Sequence, residues 1–170
     1  EWYKKGLALA ERFNDREYIS LWNSALAIVL MLQDETKVDI TAKGKLDEAA
    51  QCILRALSIG RAMRNNPCIG VALISLGRVR IAQAQNQPLP NIRMRLLLHA
   101  RQDIECALAL SGLEVETRTR GRLALGQLFL LREETKKART VLNEVIEEAQ
   151  RYELALVEAR ARRMLQGVKA

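Results

Sequence analysis

The feature that most constrains this 170-residue chain is internal repetition. Three 13-residue segments share one pattern, in which a leucine at the seventh position precedes a small residue at the eighth. Self-similarity of this kind is typical of repeat architectures, where each unit buries its apolar face against its neighbours. The segments are SLWNSALAIVLML at 20–32, GVALISLGRVRIA at 70–82 and TRGRLALGQLFLL at 119–131.

A second kind of segment follows each of these. Its members have an alanine, then Ile or Leu four residues later, then Ala or Val after three more. Residues three and four apart share one helix face, so the small residues let a neighbouring helix approach and the branched residue fills the gap. We therefore expect antiparallel pairs of a first-type helix, which carries the leucine–small segment, and a second-type helix. The second-type skeletons are Ala49–Ile53–Ala56, Ala100–Ile104–Ala107 and Ala138–Leu142–Val145.

Composition agrees with an all-α fold. Apolar residues make up 49% of the chain, whereas three prolines and nine glycines are too few for a loop-rich β fold. We expect Asn14–Asp15 and Thr135 to cap helix starts and residues 34–44, including Gly44, to form a polar loop. The pattern predicts eight helices, at about 2–13, 17–33, 45–64, 69–86, 92–111, 115–132, 135–150 and 153–166.

The predicted architecture is an α-solenoid of about eight antiparallel helices, with three helix pairs and a half-repeat at each end. Residues 1–170 are interpreted as one repeat domain. Its parts are a half-repeat at 1–16, repeats at 17–66, 67–114 and 115–152, and a closing helix at 153–170.

This pattern resembles the tetratricopeptide repeat (TPR), a 34-residue helix pair with the signature W-x2-L-G-x2-Y followed by Ala-x3-Phe. The first two units are about ten residues longer, which we interpret as insertions between their helices. Leu30 and Arg80 stand where the family has tyrosine. The unit at 119–152 matches without a gap, at Leu125, Gly126, Phe129, Ala138, Leu142 and Val145.

The resemblance implies that positions 2, 5, 9, 12 and 13 of each first-type segment line a concave groove. Here that lining would be apolar with two arginines, and large exposed apolar surfaces usually mark interaction sites. The Lys and Asn with which some family members grip a C-terminal carboxylate are replaced, so such a clamp is not expected. The groove residues are Leu21, Ser24, Ile28, Met31 and Leu32 in the first unit, Val71, Ile74, Arg78, Ile81 and Ala82 in the second, and Arg120, Leu123, Gln127, Leu130 and Leu131 in the third.

The function that these features favour is a non-catalytic scaffold for a protein or peptide with apolar anchors and acidic side chains. The long repeats and the phrase LALAERFNDRE also resemble the C-terminal arrays of bacterial STAND ATPases and LuxR-type transcription regulators. That likeness implies the interaction or sensor arm of a larger regulator. A small-ligand sensor and a homo-oligomerisation module are the alternatives.

No enzyme is expected, because the chain lacks a phosphate-binding glycine loop and a nucleophile elbow. His99 is the one histidine, and carboxylates adjacent in sequence, such as Glu133–Glu134, diverge on a helix. Cys52, Cys68 and Cys106 lack metal-ligand spacing, so no metal and no cofactor is expected. Cys52 and Cys106 fall inside apolar helical patterns.

Charge and hydropathy bear on partners and location. The net charge of +7, which we interpret as spread over both halves, favours acidic partners. Nucleic acid is not expected, because no aromatics are interleaved with the arginine clusters. The longest apolar stretch, 25–32, is far shorter than the roughly 20 residues of a membrane span, and no signal peptide is visible. We expect a cytoplasmic fragment of a longer protein, since the chain begins in mid-helix without a methionine.

Overall fold

The computed structural model describes residues 2–34 and 41–167, with side chains described for 5–25 and 44–167. This part of the chain forms eight α-helices and no strand, which confirms the all-α prediction. Each predicted helix is present, with ends that differ from the prediction by four residues at most. The helices are α1 (Trp2–Arg12), α2 (Arg16–Asp34), α3 (Thr41–Ala62), α4 (Asn66–Gln85), α5 (Pro90–Leu108), α6 (Val115–Leu131), α7 (Thr135–Arg151) and α8 (Ala155–Gln166).

The helix starts confirm some of the predicted local signals and correct others. Asp15 caps α2 as expected, because its Oδ1 accepts a hydrogen bond from the amide of Tyr18 at 3.2 Å. Thr135 was expected to cap α7 but is the first residue of that helix, after a residue that makes no side-chain cap. Gly44 lies inside α3 instead of in a loop, while residues 35–40 of the expected loop lie outside the described residues.

Four of the helix connections in the described chain share one three-residue turn. Each turn has a residue with positive φ, and the next amide donates to the carbonyl five residues back, as Asp15 does to Ala10 at 3.0 Å. This is the Schellman arrangement, which satisfies the last carbonyls of a helix. Turns this short place consecutive helices side by side and antiparallel. The positive-φ residues are Asn14, Arg64, Glu133 and Glu153.

The helices form two compact units, at residues 1–112 and 113–170. In unit 1, α2 packs on α3, α4 packs on α5, α3 joins the two pairs, and α1 packs on α2. In unit 2, α7 packs between α6 and α8. Helices two apart along the chain also touch, since the first-type helices α2 and α4 are in contact and the first-type helix α6 contacts the closing helix α8. The boundary at 112–113 lies close to the predicted boundary between the second and third repeats.

Helix pairs close where the sequence places a small residue opposite a branched one. A β-carbon on Gly77 would lie 2.5 Å from Cγ1 of Ile104, and one on Gly126 would lie 2.5 Å from Cδ2 of Leu142. The three second-type skeletons are fully buried, as the periodicity predicts. Gly6 of α1 makes a similar close approach to the Trp22 ring of α2, where a β-carbon would lie 2.6 Å from Cε2.

The extra residues of the second repeat lengthen its helices. In the third repeat α7 begins three residues before Ala138, whereas α5 begins ten residues before the equivalent Ala100. Helix α4 also continues further beyond Gly77 than α6 does beyond Gly126. The insertion expected in this unit is therefore mostly an N-terminal extension of α5, and only a short connection remains between 85 and 90.

Candidate functional site

The residues of the predicted groove lie on first-type helices that belong to two different units, so the groove residues of each unit are described separately. Helices α2 and α4 belong to unit 1, and α6 belongs to unit 2. The side chains of Ile28, Met31 and Leu32 lie outside the described residues. At position 2 the groove side chains reach solvent in each segment, since Leu21 and Arg120 are exposed and Val71 is half-buried.

Position 5 of the segments is buried, contrary to its expected exposure. Ser24, Ile74 and Leu123 are 3%, 4% and 7% exposed. Leu123 belongs to an apolar cluster that includes Val157 and Ala161 of α8. The physical reason is that α2 touches α4 and α6 touches α8, so this side chain packs inside its unit instead of facing an open groove.

The remaining groove positions on α4 are only partly open. Arg78 and Ala82 are half-buried, and Ile81 is 1% exposed, so the expectation that Ile81 faces solvent is wrong. Val71, Arg78 and Ala82 are spaced by seven and four residues, which places them on one side of the helix. The partly exposed face of α4 is therefore a narrow stripe around Arg78.

The equivalent face of α6 is more polar. Arg120 is exposed and forms an ion pair with Glu116, one turn earlier, at 2.5 Å between Nη2 and Oε1. Gln127, Leu130 and Leu131 are half-buried. Exposed ion pairs of this kind are weak, so the Arg120 guanidinium can exchange Glu116 for a carboxylate of a partner.

Two charged pairs lie between helices of a pair and are structural. Arg80 of α4 forms an ion pair with Asp103 of α5. Burial raises the pKa of the Asp103 carboxyl, and the positive charge and hydrogen bond of Arg80, with a smaller contribution from the charge of Arg61, oppose that rise. Both partners of the pair are mostly buried, so it joins α4 to α5.

In unit 2, Glu148 of α7 joins two residues of α6. Its Oε2 lies 2.9 Å from the hydroxyl of the buried Thr119 and 3.0 Å from Nη1 of Arg122. The same hydroxyl lies 2.8 Å from the carbonyl of Val115, so its one proton can be donated to either acceptor. This network fixes the α6–α7 pair without presenting an unpaired acid or base.

The histidine and the glutamate that the sequence offers as candidate acids or bases contact polar or oppositely charged side chains. His99 is exposed, with Nδ1 3.3 Å from Oε1 of Gln102. Glu134 forms ion pairs with Arg132 at 2.8 Å and Lys137 at 2.6 Å. Among the described residues, no group of three or more His, Cys, Asp or Glu side chains is placed to hold a metal ion.

The cysteines differ from the sequence interpretation in their burial. Cys106, which lies in an apolar pattern, is exposed, and Cys52 is half-buried. Cys68 is buried at the start of α4, and burial raises the pKa of its thiol. A raised pKa leaves less of the reactive thiolate at neutral pH, so Cys68 acts as a small apolar core residue.

An exposed apolar and basic surface on α5 escaped the sequence analysis. Met94 and Leu98 are 53% and 47% exposed, and Arg93 and Arg95 stand beside them. The distribution of charged residues along the sequence could have revealed this surface. Residues 49–102 hold eight arginines and no carboxylate, so the rest of the chain has 19 basic and 20 acidic residues. The basic surplus is therefore carried by this segment, which lies in the middle of the chain and contributes positive charge to both halves.

Helix α4 is the one helix in the described part of the chain that is long and apolar enough to cross a membrane, a possibility that counting uninterrupted apolar residues missed. Its mean hydropathy over the 18-residue window is 1.2, and 61% of that window is buried inside the protein. The core helix of a globular fold can be equally long and apolar, so the length and composition of α4 are weak evidence for a membrane span.

Comparison with known proteins assigns the chain to no family. No protein-family model matches the chain, and no curated protein is significantly similar to it in sequence.

Proposed function

We propose that this chain is a non-catalytic helical-repeat scaffold, similar to tetratricopeptide arrays, that binds a protein or peptide segment along its first-type helices. The observation that carries the proposal is the recurrence of solvent-accessible side chains at position 2. Leu21 and Val71 supply apolar contacts at this position on the two first-type helices of unit 1, and Arg120 supplies a cation at the same position in unit 2. Apolar and cationic side chains at this position suit a partner with apolar anchors and carboxylates.

Because position 5 is buried, the proposed binding surface is limited to the exposed and half-buried positions of the first-type helices. Side chains such as Ile74 and Leu123 stabilise the fold and are not available to a partner. Binding energy then comes from position 2, with contributions from the half-buried residues Arg78 and Gln127 at position 9. In the wider proposal, the chain acts as the cytoplasmic interaction or sensor arm of a larger bacterial regulator.

The test starts with a phage-displayed peptide library selected on the wild-type protein. Recovered peptides are expected to combine apolar residues with Asp or Glu, and are then titrated by fluorescence anisotropy. The Leu21→Asp/Arg120→Glu variant should bind them at least tenfold more weakly, about 1.4 kcal/mol, because it removes an apolar contact and reverses a charge.

The matched control carries the same chemical changes on second-type helices. Leu54 of α3 is 44% exposed and Arg139 of α7 is exposed, so Leu54→Asp/Arg139→Glu should keep the wild-type affinity. Loss of binding in this control, with retention in the position-2 variant, would move the site to the opposite face. Gel filtration of the wild type tests the oligomerisation alternative, which requires a stable dimer or larger species.

A further inference from the structure

A second exposed surface lies on the N-terminal part of α5, which we name the α5 patch. It consists of the exposed residues Leu89, Arg93, Met94, Arg95 and Leu98. Most of it lies on the extension of α5 that the third repeat lacks, so the packing of the helix pairs does not account for it. Met94 and Leu98 are four residues apart and share one face of the helix.

The electrostatics of the α5 patch are uniformly positive. Arg93 and Arg95 form no ion pair with any described residue. The first turn of α5 has no acidic residue, and its N-cap, Leu89, makes no side-chain hydrogen bond. The positive end of the helix dipole therefore adds to the two guanidinium charges. Some other exposed arginines, such as Arg55 and Arg120, are paired with glutamates, at 2.6 and 2.5 Å, whereas Arg12 and Arg16 also form no ion pair with a described residue and have no exposed Met–Leu pair like that of the patch beside them.

We propose that the α5 patch docks a short acidic amphipathic segment of another protein, with apolar side chains on Met94 and Leu98 and carboxylates on Arg93 and Arg95. Arginine bonds carboxylates strongly and often through two nitrogen atoms. The aliphatic pair supplies the apolar contact that an acidic segment needs for more than a weak ionic encounter.

Other occupants fit the patch less well. A second copy of this chain would place arginines against arginines, because the same patch is basic on both copies. A flat anionic membrane would also meet Glu105, which lies further along the exposed side of α5 with its side chain 47% exposed. Single-stranded nucleic acid stacks its bases on aromatic side chains, and the apolar residues of the patch are Leu and Met.

The probe is a fluorescein-labelled 18-residue helical peptide with Leu on one face and Glu on the other, titrated by anisotropy against the whole chain. Binding is expected, and it should weaken at least tenfold in Arg93→Glu/Arg95→Glu and in Met94→Ser/Leu98→Ser. Matched controls are Arg12→Glu/Arg16→Glu, which reverses two other exposed arginines, and Leu9→Ser/Leu156→Ser, which changes two other exposed leucines. Both controls should keep the wild-type affinity.

Three results would overturn the proposal. The first is no binding of the acidic peptide by the wild type, or equal binding by the α5 variants. The second is binding to phosphatidylserine vesicles or to a single-stranded oligonucleotide in place of the peptide. The third is loss of peptide binding only in Leu21→Asp/Arg120→Glu, which would assign the peptide to the first-type helices. Circular dichroism of each variant establishes that it is folded before its titration is interpreted.

Discussion

Leu142 occupies the space that a side chain on Gly126 would need, because a β-carbon on that glycine would lie 2.5 Å from the leucine Cδ2. The close approach of α6 and α7 at this crossing therefore depends on the absence of a side chain at residue 126. Gly77 and Ile104 have the same relationship at the α4–α5 crossing. Both contacts pair the small residue of a first-type helix with the branched residue of the second-type helix that follows it.

Gly126→Ala should therefore destabilise the protein by about 1–3 kcal/mol, although alanine is the better helix former. Thermal and urea unfolding measure the loss. Combining it with Leu142→Ala tests the cause, since the smaller side chain makes room for the new methyl group. The double variant should lose less stability than the two single variants added together. Additive losses would mean that Gly126 matters for a reason other than this contact.

A stabilising change is expected at the α6–α7 turn. Glu133 has φ +61, in the left-handed region that costs an L-residue about 1 kcal/mol and costs glycine little. Glu133→Gly should raise the melting temperature, with a gain of up to about 1 kcal/mol after the larger backbone entropy of the unfolded glycine chain is counted.

The matched control is Glu144→Gly, at an exposed site in the middle of α7, which should lower stability by about 0.5–1 kcal/mol. A lower melting temperature in both variants would contradict the conformation assigned to Glu133.

The helix register was predictable because it depends on local spacing. Ala138, Leu142 and Val145 recur at intervals that only one helix face satisfies, and all three are fully buried. The burial of Ile74 was not predictable in the same way, because it depends on contacts beyond its own pair of helices. Family analogy placed it in the groove, and the packed structure places it in the core of unit 1.

The α5 patch was missed for a different reason. An alanine-based skeleton identifies which residues pack, and it says nothing about residues outside the skeleton. The ten additional residues of the second unit were interpreted as an insertion, without a conformation, and their charges were averaged over half of the chain. Counting charges over the segment that becomes α3, α4 and α5 reveals the absence of carboxylates between Glu48 and Asp103.

Positions 2 and 5 of the first-type helices should respond in opposite ways to truncation. Leu123→Ala should cost about 2–5 kcal/mol, because Leu123 is packed in the apolar cluster of unit 2. Leu21→Ala should change stability by no more than about 0.5 kcal/mol, because that side chain is 51% exposed. Equal losses in urea unfolding would mean that Leu21 is covered in solution.

The partly buried carboxyl of Asp103 should make the stability of the folded protein depend on pH. Burial raises the pKa of its carboxyl in the folded protein above the ordinary value of 3.8. Between those two pKa values the folded state binds more protons than the unfolded state. The contribution of Asp103 to stability therefore falls as the pH rises through this window.

Asp103→Asn removes this titration while keeping the shape of the side chain. The melting temperature of the variant minus that of the wild type should increase from about pH 3 to about pH 7 at constant ionic strength. Arg80→Met should move the increase to higher pH, because the Arg80 cation is the strongest of the influences that lower the Asp103 pKa. A difference that decreases with pH would show that the attraction of Arg80 outweighs burial, and that the pKa of Asp103 is lowered in the folded protein.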